Sequence, residues 1–80
     1  MEKINLAREI VDFSIKYQLF ANAENMKTEG IARQLDESWF VELLVQTLMN
    51  AKYRENIDHK KLQELLSEIE KIRLELEYDE

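Results

Sequence analysis

The chain has no cysteine and no proline, and only one glycine (Gly30) and one histidine (His59) in 80 residues. Without cysteine there is no disulfide, no thiol nucleophile and no thiolate metal site, so a hydrophobic core must hold the fold alone. That suits a reducing compartment, and a cytoplasmic location is expected. One glycine cannot supply the loops that bring backbone amides close to phosphate, which excludes the P-loop and the dinucleotide fingerprint. One histidine has no second imidazole with which to share a metal, and the acidic residues lack the order of a calcium-binding loop. No metal or cofactor is expected. Long apolar runs are missing too. Charges interrupt the sequence throughout, nothing approaches the ~20 residues of a membrane span, and the start, Met-Glu-Lys-Ile-Asn, has no apolar signal region. The expectation is a soluble protein with no membrane partner.

Positive charge is scarce. Eleven Lys and Arg against seventeen Asp and Glu give a net charge of −6, which argues against binding a phosphate backbone, so no nucleic-acid partner is expected. Residues 55–80 hold nine acidic and four basic side chains, net −5, and leave only −1 for the rest. This acidic end reads as a solvated helix face, or more sharply as a docking surface for a basic partner.

What is plentiful is Ala, Leu, Glu, Lys and Gln, so helices must dominate and the chain is all-α. There is no linker, low-complexity tract or internal repeat, and residues 1–80 read as one domain. A chain of this length buries only about 60% of its unfolded surface, so a second chain would help its stability.

The first helix starts near Lys3 with a main stripe of Leu6, Ile10, Phe13, Tyr17 and Phe20. A second stripe, Ile4, Val11, Ile15, Leu19 and Met26, lies nearly opposite. Asn5, Glu9, Asp12 and Lys16 separate the two on one flank, Ser14 and Gln18 on the other. A helix with two apolar faces needs two neighbours. Asn22 and Asn25 can break it early, or it runs to Glu29 with Gly30 in the left-handed capping position and Ile31 packed back on Met26. The longer helix is adopted here. The second helix, Glu37 to Arg54, has Asp36 as its cap and Leu35 with Phe40 as a hydrophobic staple. Its core arc holds Phe40, Val41, Leu44, Leu48 and Ala51, with Leu43 and Val45 on the wings. Trp39, Met49 and Tyr53 fall among Ser38, Glu42, Gln46 and Asn50. The apolar arc spans more than half the circumference, too much for one three-helix core. The last helix, about 59–77, has Asp58 as cap, Ile57 and Leu62 as staple, and a narrow seam of Leu62, Leu65, Ile69, Ile72 and Leu76. Lys60 with Glu64, Lys71 with Glu75 and Arg73 with Glu77 form i,i+4 pairs outside it. The sequence thus predicts a small antiparallel three-helix bundle (about 3–29, 37–54 and 59–77) that dimerisation would complete.

Catalytic patterns are missing. Ser14 and Ser67 lie inside helices, no nucleophile elbow surrounds any serine, and carboxylates such as Glu64 and Glu68 sit on a hydrophilic face where nothing raises a pKa. An enzyme is not expected. The run Asp36-Glu37-Ser38, in a small acidic helical protein, resembles the acyl carrier proteins, where a serine at the start of a helix carries a phosphopantetheine arm. That resemblance implies modification at Ser38. The family places Asp directly before the serine and Leu after it, whereas here Glu37 intervenes and Trp39 follows.

What remains is excess apolar helix surface. Trp, Tyr and Met are enriched at interface cores, and Trp39, Leu43, Val45, Met49, Tyr53, Val11, Ile15 and Leu19 are the candidate partner-binding residues. The sequence therefore suggests a non-enzymatic, homodimerising helical module. It would serve as an adaptor or an inhibitor of the immunity, antitoxin or mobile-element accessory kind, a category resting on analogy of size and charge. One alternative is the carrier role at Ser38. Another is nucleic-acid mimicry, with Glu64, Glu68 and Glu75 occupying a partner's basic groove.

Overall fold

Hydrophobic periodicity places helices along nearly the whole chain, and a computed structural model describing residues 2–78 shows where each one stops. The elements are α1 (Lys3–Tyr17), a 3-10 turn (Ala23–Asn25), α2 (Thr28–Gln34), α3 (Ser38–Ala51) and α4 (His59–Tyr78). The fold is all-α, with no strand among the described residues. Asp79 and Glu80, counted above in the acidic end, lie outside the described residues.

The predicted first helix, 3–29, is not continuous. Gln18 adopts the left-handed conformation at φ 51°. The Leu19 amide donates to the Ser14 carbonyl at 3.0 Å and the Gln18 amide to the Ile15 carbonyl at 3.4 Å. Those two bonds are the Schellman pattern, formed twelve residues earlier than expected and without glycine. Gly30 instead lies within α2, and its φ is not positive. Burial explains the reversal. A helix carried on to Glu29 would be about 40 Å long at 1.5 Å per residue and would take Met26 away from any partner. By turning back on α1, the chain buries Ile31 and Leu35 and lays Leu19, Phe20 and Met26 on the edge of the core. The three expected helices therefore become four among the described residues, with α2 and the turn replacing the end of the long helix.

The second predicted helix is shorter at both ends, Ser38–Ala51 rather than 37–54. Asp36 does not cap it: Glu37 occupies the N-cap position with no side-chain hydrogen bond. Asp36 belongs to the tight turn ending α2, where its amide bonds the Arg33 carbonyl at 3.2 Å, and its carboxylate pairs with Lys3. That pair ties the end of α2 to the start of α1. The Asp58 cap does form: Oδ1 accepts from the Lys61 amide at 3.0 Å. Ile57 and Leu62 on either side of it are both buried, as a staple requires.

The predicted seam of α4 lies in the core. Leu62, Leu65, Ile69 and Ile72 are buried and Leu76 is partly buried. They pack chiefly against α3, which runs antiparallel: Arg73 Nε, late in α4, lies 2.9 Å from Glu42 Oε1, early in α3. Arg73 also pairs with Glu70 at 3.2 Å and Glu77 at 3.8 Å. Where α1 ends, three elements are fastened together. The Arg54 guanidinium donates to the Tyr17 carbonyl at 2.7 Å, and the Tyr17 hydroxyl accepts from the Asp58 amide at 3.0 Å. Arg54 thus satisfies a carbonyl left open at a helix C-terminus. Ser14, placed on a polar flank by the sequence pattern, is buried, and its Oγ has no hydrogen-bond partner among the described residues.

A non-glycine residue in the left-handed region costs roughly 1–2 kcal/mol. Gln18→Gly should therefore raise stability by about 0.5–1 kcal/mol, after allowing for the extra freedom glycine gives the unfolded chain. Urea unfolding checks this: the midpoint should rise at constant slope. A lower midpoint would mean that the Gln18 side chain contributes more than its backbone costs.

Candidate functional site

The main stripe of α1 lies in the core, where α2 and α4 pack against this helix, whereas its second stripe is covered only in part, with Ile4 and Ile15 exposed. Val11, on the second stripe, is only 5% exposed, and Leu19 packs partly buried against the core. On α3, Val45 is 3% exposed. These three of the eight candidate partner-binding residues belong to the interior. Ile15 is exposed on α1, one turn before the chain reverses.

The other four candidates collect on one element. Trp39 is 59% exposed, Leu43 45%, Met49 48% and Tyr53 89%. Trp39, Leu43, Gln46, Asn50 and Tyr53 recur at steps of four, three, four and three, the spacing of a helix seam. Tyr53 stands in the turn directly after α3, where its amide still bonds the Asn50 carbonyl at 3.4 Å. Met49 and Glu42 flank this line. The opposite side of the same helix is the core side, carrying Phe40, Val41, Leu44, Val45, Leu48 and Ala51, all buried. α3 is therefore apolar on both sides, and the fold covers one of them.

Trp39 is oriented by what lies under it. Its ring meets the Phe40 ring edge-on, with centroids 5.6 Å apart at 78°, and Phe40 is anchored in the core. The one charge on the outer face is Glu42, whose carboxylate is held by Arg73. The arrangement offers an exposed indole, two aliphatic side chains and two amides. It suits burial against another apolar surface.

The remaining candidates are spread over the molecule. Ser38 is exposed as the first residue of α3, in an open cleft with Val41, Glu42, Arg73, Leu76 and Glu77. Arg73 and its carboxylate partners occupy the mouth of that cleft. Glu64, Glu68 and Glu75 share one face of α4. Glu64 and Glu75 are exposed and Glu68 half-buried, but Lys71 lies among them, 3.3 Å from Glu68, so the stripe is mixed in sign. His59 is exposed at the start of α4. Among the described residues no group of three His, Asp or Glu could hold a metal, and no helix is long and apolar enough to cross a membrane.

Two features escaped the sequence. Leu74 and Tyr78 are exposed on α4, away from its seam; their i,i+4 spacing was the signal, hidden among charged neighbours. The fastening of Arg54 and Asp58 onto Tyr17 joins residues some forty positions apart and left no local trace.

If the outer face of α3 is not needed for folding, truncating it should cost little. Leu43→Ala and Met49→Ala should each change stability by no more than about 0.5–1 kcal/mol, whereas Leu48→Ala on the core side should cost about 2–5 kcal/mol. Comparing urea midpoints at a concentration where the chain is monomeric separates the two sides; equal losses would make the outer face structural. No protein-family model, curated protein or solved structure matches this chain.

Proposed function

We propose that this protein is a non-enzymatic binding module that acts by pressing the outer face of α3 against an apolar surface of a protein partner, as an adaptor or inhibitor does. The observation carrying this reading is the exposure of Trp39, Leu43 and Met49 on one face of a helix whose other face already lies in the core, with Tyr53 exposed in the turn directly after it.

Magnitudes support it. Those four side chains expose roughly 400–500 Å², within the 300–600 Å² range where the largest patch on a monomer is often functional. At about 25 cal/mol per Å², covering them is worth about 10 kcal/mol before the costs of association, which run from about 4 to 15 kcal/mol. The result is reversible, moderate binding rather than permanent assembly. Trp39 and Tyr53 fit the residue types that dominate binding energies, and the paired Glu42 avoids burying an uncompensated charge.

The test compares the wild-type chain with a Trp39→Ser/Met49→Ser double variant. Sedimentation velocity reads self-association, and immobilised protein exposed to native-host extract reads other partners. The wild type should associate with itself or retain one protein in stoichiometric amount. The variant should lose that association while keeping its helical circular dichroism. Association unchanged in the variant, or absent from the wild type in both assays, would contradict the reading.

A further inference from the structure

We propose that the surface covering α3 is α3 of a second copy, laid antiparallel with the two-fold axis passing beside Gln46. The inference rests on the binding reading above and adds the partner and its register.

The pattern of the face is the first support. Isologous contact requires a surface to complement itself when turned by 180°. About Gln46, the outer face of α3 together with the turn that follows it reads aromatic, aliphatic, polar, aliphatic, aromatic: Trp39, Leu43, Gln46 and Met49 on the helix and Tyr53 two residues beyond its end. Turned about that point, Trp39 meets Tyr53 of the second copy, Leu43 meets Met49, Glu42 meets Asn50, and Gln46 meets itself. Each large apolar side chain finds an apolar counterpart. The amide of Gln46 is both donor and acceptor, so two copies can satisfy one another across the axis.

Charge is the second support. A parallel pairing would set Glu42 against Glu42 of the other copy, whereas the antiparallel register moves them about 12 Å apart along the helix at 1.5 Å per residue. Glu42 is already held at 2.9 Å by Arg73 of its own chain, so Asn50 opposite it meets a compensated carboxylate. The face of α4 that carries Glu64, Glu68, Lys71 and Glu75 is charged and mixed in sign, and offers no comparable apolar line. Area is the third. With the amides between the apolar residues included, the face offers on the order of 500–600 Å² per copy, close to the total of about 1,000 Å² that separates specific contacts from incidental ones. A dimer of that size dissociates on dilution, with a dissociation constant of roughly micromolar order or weaker.

The chain has no cysteine, so single engineered thiols report without interference. Under mild oxidation Gln46→Cys should form a covalent dimer. Asn50→Cys alone should not, because its counterparts lie about 12 Å apart along the axis in the antiparallel register; mixed with Glu42→Cys it should form the cross-linked heterodimer. Self-coupling of Asn50→Cys as fast as that of Gln46→Cys would overturn the register in favour of a parallel pair. Failure of Gln46→Cys to couple, with a wild-type chain that sediments as a monomer, would overturn the second copy as occupant. In that case stoichiometric retention of another protein, lost in Trp39→Ser/Met49→Ser, would leave the binding reading standing; absence of such retention would remove both.

Discussion

Leu62, Leu65, Ile69 and Ile72 run along one side of α4 and are buried with Val41, Leu44 and Leu48 of α3 in a single cluster, which α1 and α2 complete with Leu6, Ile10, Ile31 and Leu35. α3 and α4 pack as an antiparallel hairpin, about as extensively as α1 packs on α2, and α1 closes onto it through Tyr17, Arg54 and Asp58. Because α4 covers α3 from one side only, the orientation of this hairpin decides which residues of α3 remain outside. The chain left after this contact, α1 to α2, is occupied in covering α1. None of the described elements packs over the outer face of α3.

The described elements leave one side of α3, the most apolar helix, uncovered, and the reversal at Gln18 uses the stretch after α1 to cover α1 itself. The reversal sets a non-glycine residue in a left-handed conformation and buries the Ser14 hydroxyl without a partner among the described residues. Both are unfavourable by about a kcal/mol or more, and the burial of Ile31 and Leu35 offsets them. Exposed Trp39, Leu43 and Met49 receive no such compensation within the chain.

Where local chemistry decided the outcome, the amino-acid pattern was sufficient. Asp58 followed by the Leu62–Leu76 seam specifies α4, its cap and its buried face, because a capping side chain and a periodic stripe act over a few residues. The core arc of α3 was legible for the same reason. Asp36 looked equally good as a cap, but an ion pair with Lys3, thirty-three positions away, took its carboxylate. The break after Tyr17 was illegible because it depends on tertiary burial: Gln18 has no preference for the left-handed region, while Gly30, which has, lies in an ordinary helix. Of the candidate surface, the exposed part on α3 was visible as aromatic and Met residues in polar company. Val45 could not be separated from it, since a wing residue on a helical projection is covered or exposed according to where the neighbouring helix lies, and Val11 read as part of a second apolar stripe on the first helix.

Trp39 is the only tryptophan in the chain, so its fluorescence reports on this surface alone, and its quenching by acrylamide across a dilution series is the most direct test that α3 is covered by association and not by the fold. In dilute solution Trp39, 59% exposed, should be readily quenched, and it should become protected as concentration rises, in step with the formation of dimer. Protection that persists at every dilution would place Trp39 inside the monomer and contradict an uncovered α3; accessibility that never falls would contradict its burial against a second copy.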